Sequence, residues 1–414
     1  MSLCSSPLAP NRSQQLPSKW KLHLRAIPVP PPTNVCQCTS TTVKPNAVAK
    51  PMTQEYGYDR EPSIAFSDSN SQRSLASAGT YDVNMDDEGS SLNSSTSWFS
   101  YAEGRRFHNS EHDIAYYYPN DAEELDRLDC QHDLYKLLLG RRNYPIEVLS
   151  LHLDPKDPVP GPRTILDLGT GSGVWAIQMG DEFPNSTVIG VDLAPVQPER
   201  VPPNVTFVCE DFTKVDDLDY SYILRKREDR IGEGEKRKFE LIFMRCLIWG
   251  IRDWEAIIEQ IAQGLEVGGM MVLIEPGEMP FSVFEGEGSV GEATLLWWRT
   301  LRECMAARGA HPDAPAHLAE MVERNPKLHL VLAKRLDCPI GDWASDEDLK
   351  VAGRYLLRDC LLALETTKPL FLLFGYSEGW IQALHKNCRI EWADSRRRAW
   401  IPSRMVVARR KKAS

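Results

Sequence analysis

The chain has 414 residues, 42% of them hydrophobic, with 48 Lys and Arg against 58 Asp and Glu and a formal net charge of −10. That leaves room for one large domain or two ordinary ones, and it excludes a protein that coats nucleic acid through massed cations. The ten cysteines are scattered. No C-x-x-C pair occurs and no His stands at zinc-finger spacing, so neither a disulfide framework nor a metal site is expected.

Residues 1–105 are rich in Ser, Thr, Pro, Asn and Gln, with Pro28 to Pro32 as a short polyproline piece and Ser90 to Ser97 as a polar tract. Such a segment buries too little apolar surface to offset its chain entropy, and a disordered tail is expected ahead of a domain at 106–414. Composition does not separate a partner-binding tail from an inert leader. The start of the chain lacks the apolar stretch of a secretory signal. The most apolar segment, Tyr355 to Phe374, carries Arg358, Asp359, Glu365 and Lys368. It reads as a buried helix, and a soluble chain with no membrane span is expected.

Order is expected from about Phe107. Asn120 is placed to cap a helix with Glu123 reaching back, Leu125, Leu128, His132 and Tyr135 follow at helical spacing, and Gly140 ends it. From Arg163 strands and helices alternate. Strands are expected at Thr164 to Leu168, Thr187 to Leu193, Val205 to Val208, Phe239 to Met244 and Met270 to Ile274, with helices from Val174 and from Trp254 to Leu265. Two further strands, Leu328 to Leu332 and Ser403 to Ala408, flank a helical stretch at Asp346 to His385. The pattern predicts an α/β fold with a mostly parallel sheet and helices on both faces. The helical stretch is expected as an insertion over the carboxyl edge of the sheet, where ligands bind in such folds.

The most informative string is Ile165-Leu166-Asp167-Leu168-Gly169-Thr170-Gly171-Ser172-Gly173. It follows a strand and opens a helix, so its glycines let backbone approach a ligand closely. Asp167 decides which ligand. A dinucleotide sets its pyrophosphate at the helix N-terminus, where a carboxylate is a poor neighbour, whereas a ligand with a cationic amino-acid end suits it. S-adenosylmethionine has an ammonium and a sulfonium and no phosphate. Asp192 closes the second strand, where a carboxylate accepts from ribose hydroxyls. Asp211 and Phe212 follow the third, in place to accept from an adenine amino group and to cover its ring.

These residues resemble the Asp-x-Gly-x-Gly-x-Gly turn of class I S-adenosylmethionine-dependent methyltransferases. Tyr117-Tyr118-Pro119-Asn120-Asp121, Asp126-Arg127-Leu128-Asp129 with His132, Val188 to Asp192 with Gln197-Pro198, Val201 to Val205, Arg245, and Ile251-Arg252-Asp253-Trp254 resemble one fungal group more particularly. That group is the LaeA-like methyltransferases, associated with secondary metabolism and the velvet regulators. The resemblance covers about residues 107–410. It implies a Rossmann-like sheet with an antiparallel last strand and an N-terminal helical lid over the cofactor. It also implies that Asp167, Gly169, Gly171 and Gly173 lie at the methionine and ribose end, Asp192 at the ribose, and Asp211 near adenine. The charged 216–238 stretch, with Arg225 to Arg227 and Lys236 to Lys238, departs from the group.

Methyl transfer from a sulfonium needs alignment and exclusion of water, and a base only where the acceptor must lose a proton. Substrate-side candidates are Tyr117, His132, Arg245, Trp249 and Glu275, with Trp297 and Trp298 in pocket or core. His132 is a base or a packing residue, Tyr117 a lid residue, and Arg245 an acidic-substrate grip or a structural partner. The readings that remain are a regulatory methyltransferase with velvet-type partners, an enzyme methylating a small metabolite, and a cofactor-binding scaffold. The acceptor is then a protein or a small molecule, and no sequence-specific DNA binding is expected. The basic runs Arg396 to Arg398 and Arg409 to Lys412 are import signals, patches for an acidic partner, or solvated surface. A nuclear or cytoplasmic location follows from the resemblance alone.

Overall fold

The computed structural model describes residues 98–108, 116–151, 163–215, 217–220 and 238–412. The expected disordered tail up to residue 97, and nearly all of the charged 216–238 stretch, lie outside the described residues. Structure begins ahead of Phe107. Strands β1 (Phe99–Ala102) and β2 (Arg105–His108) form an antiparallel hairpin, turned through Glu103 and Gly104 at φ of 51° and 72°. Its two arginines point to a distant partner that composition cannot show. Arg105 pairs with Asp121, and Arg106 Nε donates to Asn120 Oδ1 at 2.9 Å.

Those contacts also shift the first helix. Asn120 is engaged by Arg106, so the cap falls to Asp121, whose carboxylate accepts from the Glu124 amide at 3.2 Å. Helix α1 then runs Ala122–Leu138, and Gly140 (φ 67°) closes it by donating to the Leu137 carbonyl.

Seven strands form the main sheet in the order β5-β4-β3-β6-β7-β9-β8. They are β3 (Thr164–Leu168), β4 (Thr187–Asp192), β5 (Val205–Cys209), β6 (Phe239–Arg245), β7 (Leu265–Pro276), β8 (Leu328–Pro339) and β9 (Trp400–Arg410). The first five pair in parallel, and β9 runs antiparallel between β7 and β8. Helices α2 (Val174–Glu182), α3 (Trp254–Gly264), α4 (Glu292–Ala307), α5 (Ala314–Arg324), α6 (Glu347–Leu373) and α7 (Glu378–Ala393) complete the fold. The last two strands are longer than expected, because β8 pairs with β9 from end to end. Chain order reverses between β3 and β6, which opens a crevice at their carboxyl ends. Behind it Trp175 of α2 stacks on Phe243 of β6, centroids 4.0 Å apart, with its indole N–H on the Asn143 carbonyl.

The helical stretch expected over the ligand edge is two helices, divided where Gly375 (φ 83°) ends α6 and Ser377 caps α7. Helix α6 packs along α1, and the seam holds a buried ion cluster. The Arg127 guanidinium donates to Glu124 at 2.9 Å and to Asp359 at 2.6 Å, while Thr366 Oγ1 donates to Glu124 at 2.8 Å. Arg127 and Glu124 are 5% and 1% exposed, so each charge depends on its partner. No helix among the described residues is long and apolar enough to cross a membrane. The basic runs are engaged locally: Arg396 pairs with Asp394, Arg398 lies over the Phe284 ring, and Arg409 donates to the Gly268 carbonyl.

Replacing Arg127 with Met removes the only positive charge of this cluster and strands two carboxylates. Denaturant unfolding of Arg127→Met is expected to show a loss of about 3–5 kcal/mol. Thr366→Val removes one neutral donor and is expected to cost about 1–2 kcal/mol.

Candidate active site

The carboxyl ends of β3, β4, β5 and β6 line one cavity of about 340 Å³, roofed by α1 and the residues before it. Its floor is the turn after β3. Gly169, Gly171 and Gly173 all have positive φ, at 70°, 57° and 81°, a region that costs any residue with a Cβ. A Cβ on Gly169 would lie 2.5 Å from the Leu247 side chain, and one on Gly171 3.1 Å from Leu128 of the roof. Gly173 does not border the cavity. Its constraint is on the other side, where a Cβ would meet the Phe207 ring at 2.5 Å. It sets the first turn of α2 against β5.

The turn is tied to the neighbouring strand by one carboxylate. Asp192, at the end of β4, accepts from the Gly171 amide at 2.8 Å and from the Leu193 amide at 2.7 Å. The Gly169 and Thr170 amides donate to the Val191 carbonyl, and Gln197 Nε2 donates to the Gly171 carbonyl. The turn is therefore set before any ligand arrives. A further link joins it to the roof, where Ser172 donates to Asp129 of α1 at 2.7 Å.

Asp167 lines the cavity and is itself buried. Burial pushes its carboxyl up to about 7, against the hydrogen bond from Thr170 and the nearby Arg245 charge, which both favour the ionised form. One oxygen accepts from Thr170 Oγ1 at 2.6 Å. Asp211 and Phe212 border the far end, Asp211 held by the Thr213 amide and hydroxyl.

The structure brings Asp167, Gly169, Gly171, Asp192, Asp211, Phe212 and Arg245 to this one cavity. Tyr117 and His132 are not among the lining residues. Tyr117 stacks on Phe107 at 5.1 Å under the Arg308 guanidinium, and its neighbour Tyr116 faces the cavity instead. His132 is buried beneath Arg245, whose Nη2 lies 3.2 Å from its Nδ1. Burial first, and Arg245 second, push that imidazole down to about 3, so it stays neutral. Arg245 spans the rings of Tyr135 and Phe243. Glu275 does not cap the loop that follows it. Fully buried, it accepts from the Ile248 amide at 2.8 Å in the loop after β6, and desolvation pushes it up to about 8.

Residue spacing missed Tyr116, Gln131, Thr170 and Cys246, which also line the cavity. Tyr116 sits in a run of three tyrosines with no periodicity to choose among them. Cys246 has φ of 60°, a strained backbone that a sequence does not announce.

S-adenosylmethionine fits this lining on three counts. The turn offers backbone with no Cβ, Asp167 offers a buried carboxylate for an ammonium, and Asp192 offers a second carboxylate already oriented by two amides. The fold and this site define a class I S-adenosylmethionine-dependent methyltransferase. A methyltransferase-domain profile matches residues 133–325. Methyltransferase pytC of Aspergillus terreus is 29% identical over 314 residues, 75% of this chain and 87% of its own length. The secondary metabolism regulator laeA of Coprinopsis cinerea is 29% identical over 75% of this chain and 73% of its own. The secondary metabolism regulator LAE1 of Cochliobolus heterostrophus is 30% identical over 61% of this chain and 74% of its own. Within the class, the chain belongs to the LaeA-like methyltransferase family.

Gly171→Asp fills the turn and sets a second carboxylate beside Asp192. Calorimetry on the folded variant is expected to show no S-adenosylmethionine binding. Asp192→Ala keeps the fold and is expected to weaken binding by about 1–3 kcal/mol, the range for lost hydrogen bonds to a charged group.

Proposed function

We propose that this chain transfers a methyl group from S-adenosylmethionine as part of the control of fungal secondary metabolism. The single observation that supports it most is the preset turn at Asp167–Gly173 with Asp192 locked against it, in a chain of the LaeA-like family. In this reading Asp167 takes the donor's ammonium, Gly169 and Gly171 let its methionine end lie against backbone, Asp192 accepts from the ribose hydroxyls, and Asp211 with Phe212 holds the adenine. Bound there, the donor supplies a methyl group on a sulfonium, which is a good leaving group. The protein's own work is to hold the two reactants in line and keep water out. Leu125 and Leu128 of α1 serve the second purpose from the roof. His132, neutral and outside the lining, is a support for Arg245 and not a base. Velvet-type regulatory partners and a nuclear site of action, beside a cytoplasmic one, belong to the same reading.

A second reading has its own support. The relative pytC, a methyltransferase by name, aligns over 87% of its length, which favours an enzyme acting on a small metabolite. A tritiated-methyl assay separates the two. Label on protein in a cell extract supports the regulatory reading, label in the metabolite fraction supports the second, and label in neither refutes both.

Donor affinity is expected to depend on pH through Asp167. Its carboxyl, raised by burial to about 7, binds an ammonium only when ionised. Affinity therefore falls by up to tenfold per unit as pH drops below 7. Titration calorimetry from pH 5.5 to 8.5 checks this, with Asp167→Asn expected to flatten the profile at the low value.

A further inference from the structure

Beside the cofactor cavity lies a second one of about 70 Å³, and the two share Tyr116, Leu128, Gln131 and Cys246 as a common wall. We propose that this second cavity seats the methyl acceptor, and that the acceptor end it takes is the amine of a slender alkyl chain. The assignment rests on reading the first cavity as the donor's.

Position is the first argument. Every route for methyl transfer needs a dry space next to the donor, and this cavity is walled by buried residues on α1, α4, α6 and the loop after β6. Cys246 stands between the two spaces. Its left-handed backbone (φ 60°) is held by a hydrogen bond from its amide to the Ile274 carbonyl at 3.0 Å. That turn directs Arg245 to the donor cavity and Trp249 to the second. A non-glycine residue held in this region is strained, and such strain gathers at functional sites.

Size and charge then choose the ligand. The space is about 70 Å³ against about 340 Å³ for the donor cavity, which suits a slender chain end. Tyr116, Tyr118, Trp249 and Trp298 give it aromatic walls, Trp249 meeting Trp298 edge to face at 6.5 Å. Among the described residues Arg127 is the only cation that lines it, and Glu124 and Asp359 already hold that guanidinium. An incoming anion finds no free positive charge and faces the Asp359 carboxylate. An ammonium finds ring faces, which attract cations, and a cluster with two carboxylates for one guanidinium. Asp359 is the carboxylate that lines this cavity, and it takes the proton the amine must lose. The nitrogen lone pair then forms the N–C bond as the methyl–sulfur bond breaks. Positive charge passes from sulfur to nitrogen.

The test titrates full-length protein saturated with S-adenosylhomocysteine against ethylamine, ethanol and acetate by calorimetry. Ethylamine is expected to bind about tenfold tighter than ethanol, with no binding of acetate. Trp249→Leu is expected to remove that preference while keeping S-adenosylhomocysteine affinity, and Trp249→Phe to retain most of it. Equal binding of ethanol and ethylamine, binding of acetate, or an unchanged preference in Trp249→Leu would overturn the proposal. Should the leucine variant fail to fold, the three probes on the native protein still decide it. If S-adenosylhomocysteine itself does not bind the native protein, the donor reading falls and this one with it. If it binds and ethylamine does not, only the acceptor assignment falls. A tritiated-methyl arm compares a lysine peptide with putrescine. Label on either supports the proposal and identifies the source of the amine, and label on neither overturns it.

Discussion

Much of the molecule depends on the left-handed turn after β3. Three residues with φ of 57° to 81° carry the chain from a buried strand into α2, and a Cβ at Gly169 or Gly173 would lie 2.5 Å from a neighbouring side chain. Such a turn is entropically costly to order, since glycine loses the most freedom on folding. The Asp192 carboxylate offsets part of that cost by fixing the Gly171 amide, and the Val191 carbonyl fixes two more. Because these bonds come from β4, the turn takes shape only when β3 and β4 are paired. The donor cavity is thus a product of sheet assembly.

The roof over that turn is held by a different kind of force. Helix α1 presents Leu125 and Leu128 to the cavity and turns Glu124, Arg127 and Tyr135 inward. A buried charge is unfavourable unless fully paired, so the Glu124–Arg127–Asp359 cluster leaves α1 one seat against α6. Replacing these residues with apolar ones of similar shape often gains stability in other proteins. What the ions supply is register, since a slide of α1 along α6 would break them. The Ser172–Asp129 bond then joins the roof to the turn.

These two features explain which parts of the protein were readable from its sequence. The turn was, because its constraint is local: glycine at fixed spacing after an apolar strand has one common structural meaning, and Asp167 narrowed the ligand. The parallel sheet was readable for the same reason, through short apolar runs with turn residues between them. The inward face of α1 was not. Glu124 and Arg127 look like solvated charges until Asp359, far along the chain, is placed beside them. The hairpin at Phe99–His108 was hidden likewise, as Arg105 and Arg106 look like surface residues until Asp121 and Asn120 face them. Tyr117 and His132 failed as pocket residues by one step of phase and one layer of depth, which periodicity does not resolve over so few residues.

The same reasoning bears on why the donor is easier to read than the acceptor. In the proposed reading, donor recognition uses backbone and carboxylates at strand ends, and these leave a pattern of residue types at fixed positions. The second cavity is assembled from α1, α4, α6 and the loop after β6, pieces drawn from distant parts of the chain. No spacing rule links Tyr116, Trp249 and Trp298. Of the four residues that border both spaces, Cys246 alone has a left-handed backbone, where β6 gives way to that loop. A substitution at Cys246 that relaxed its φ would redirect Arg245 and Trp249 together, so donor and acceptor geometry would change as one.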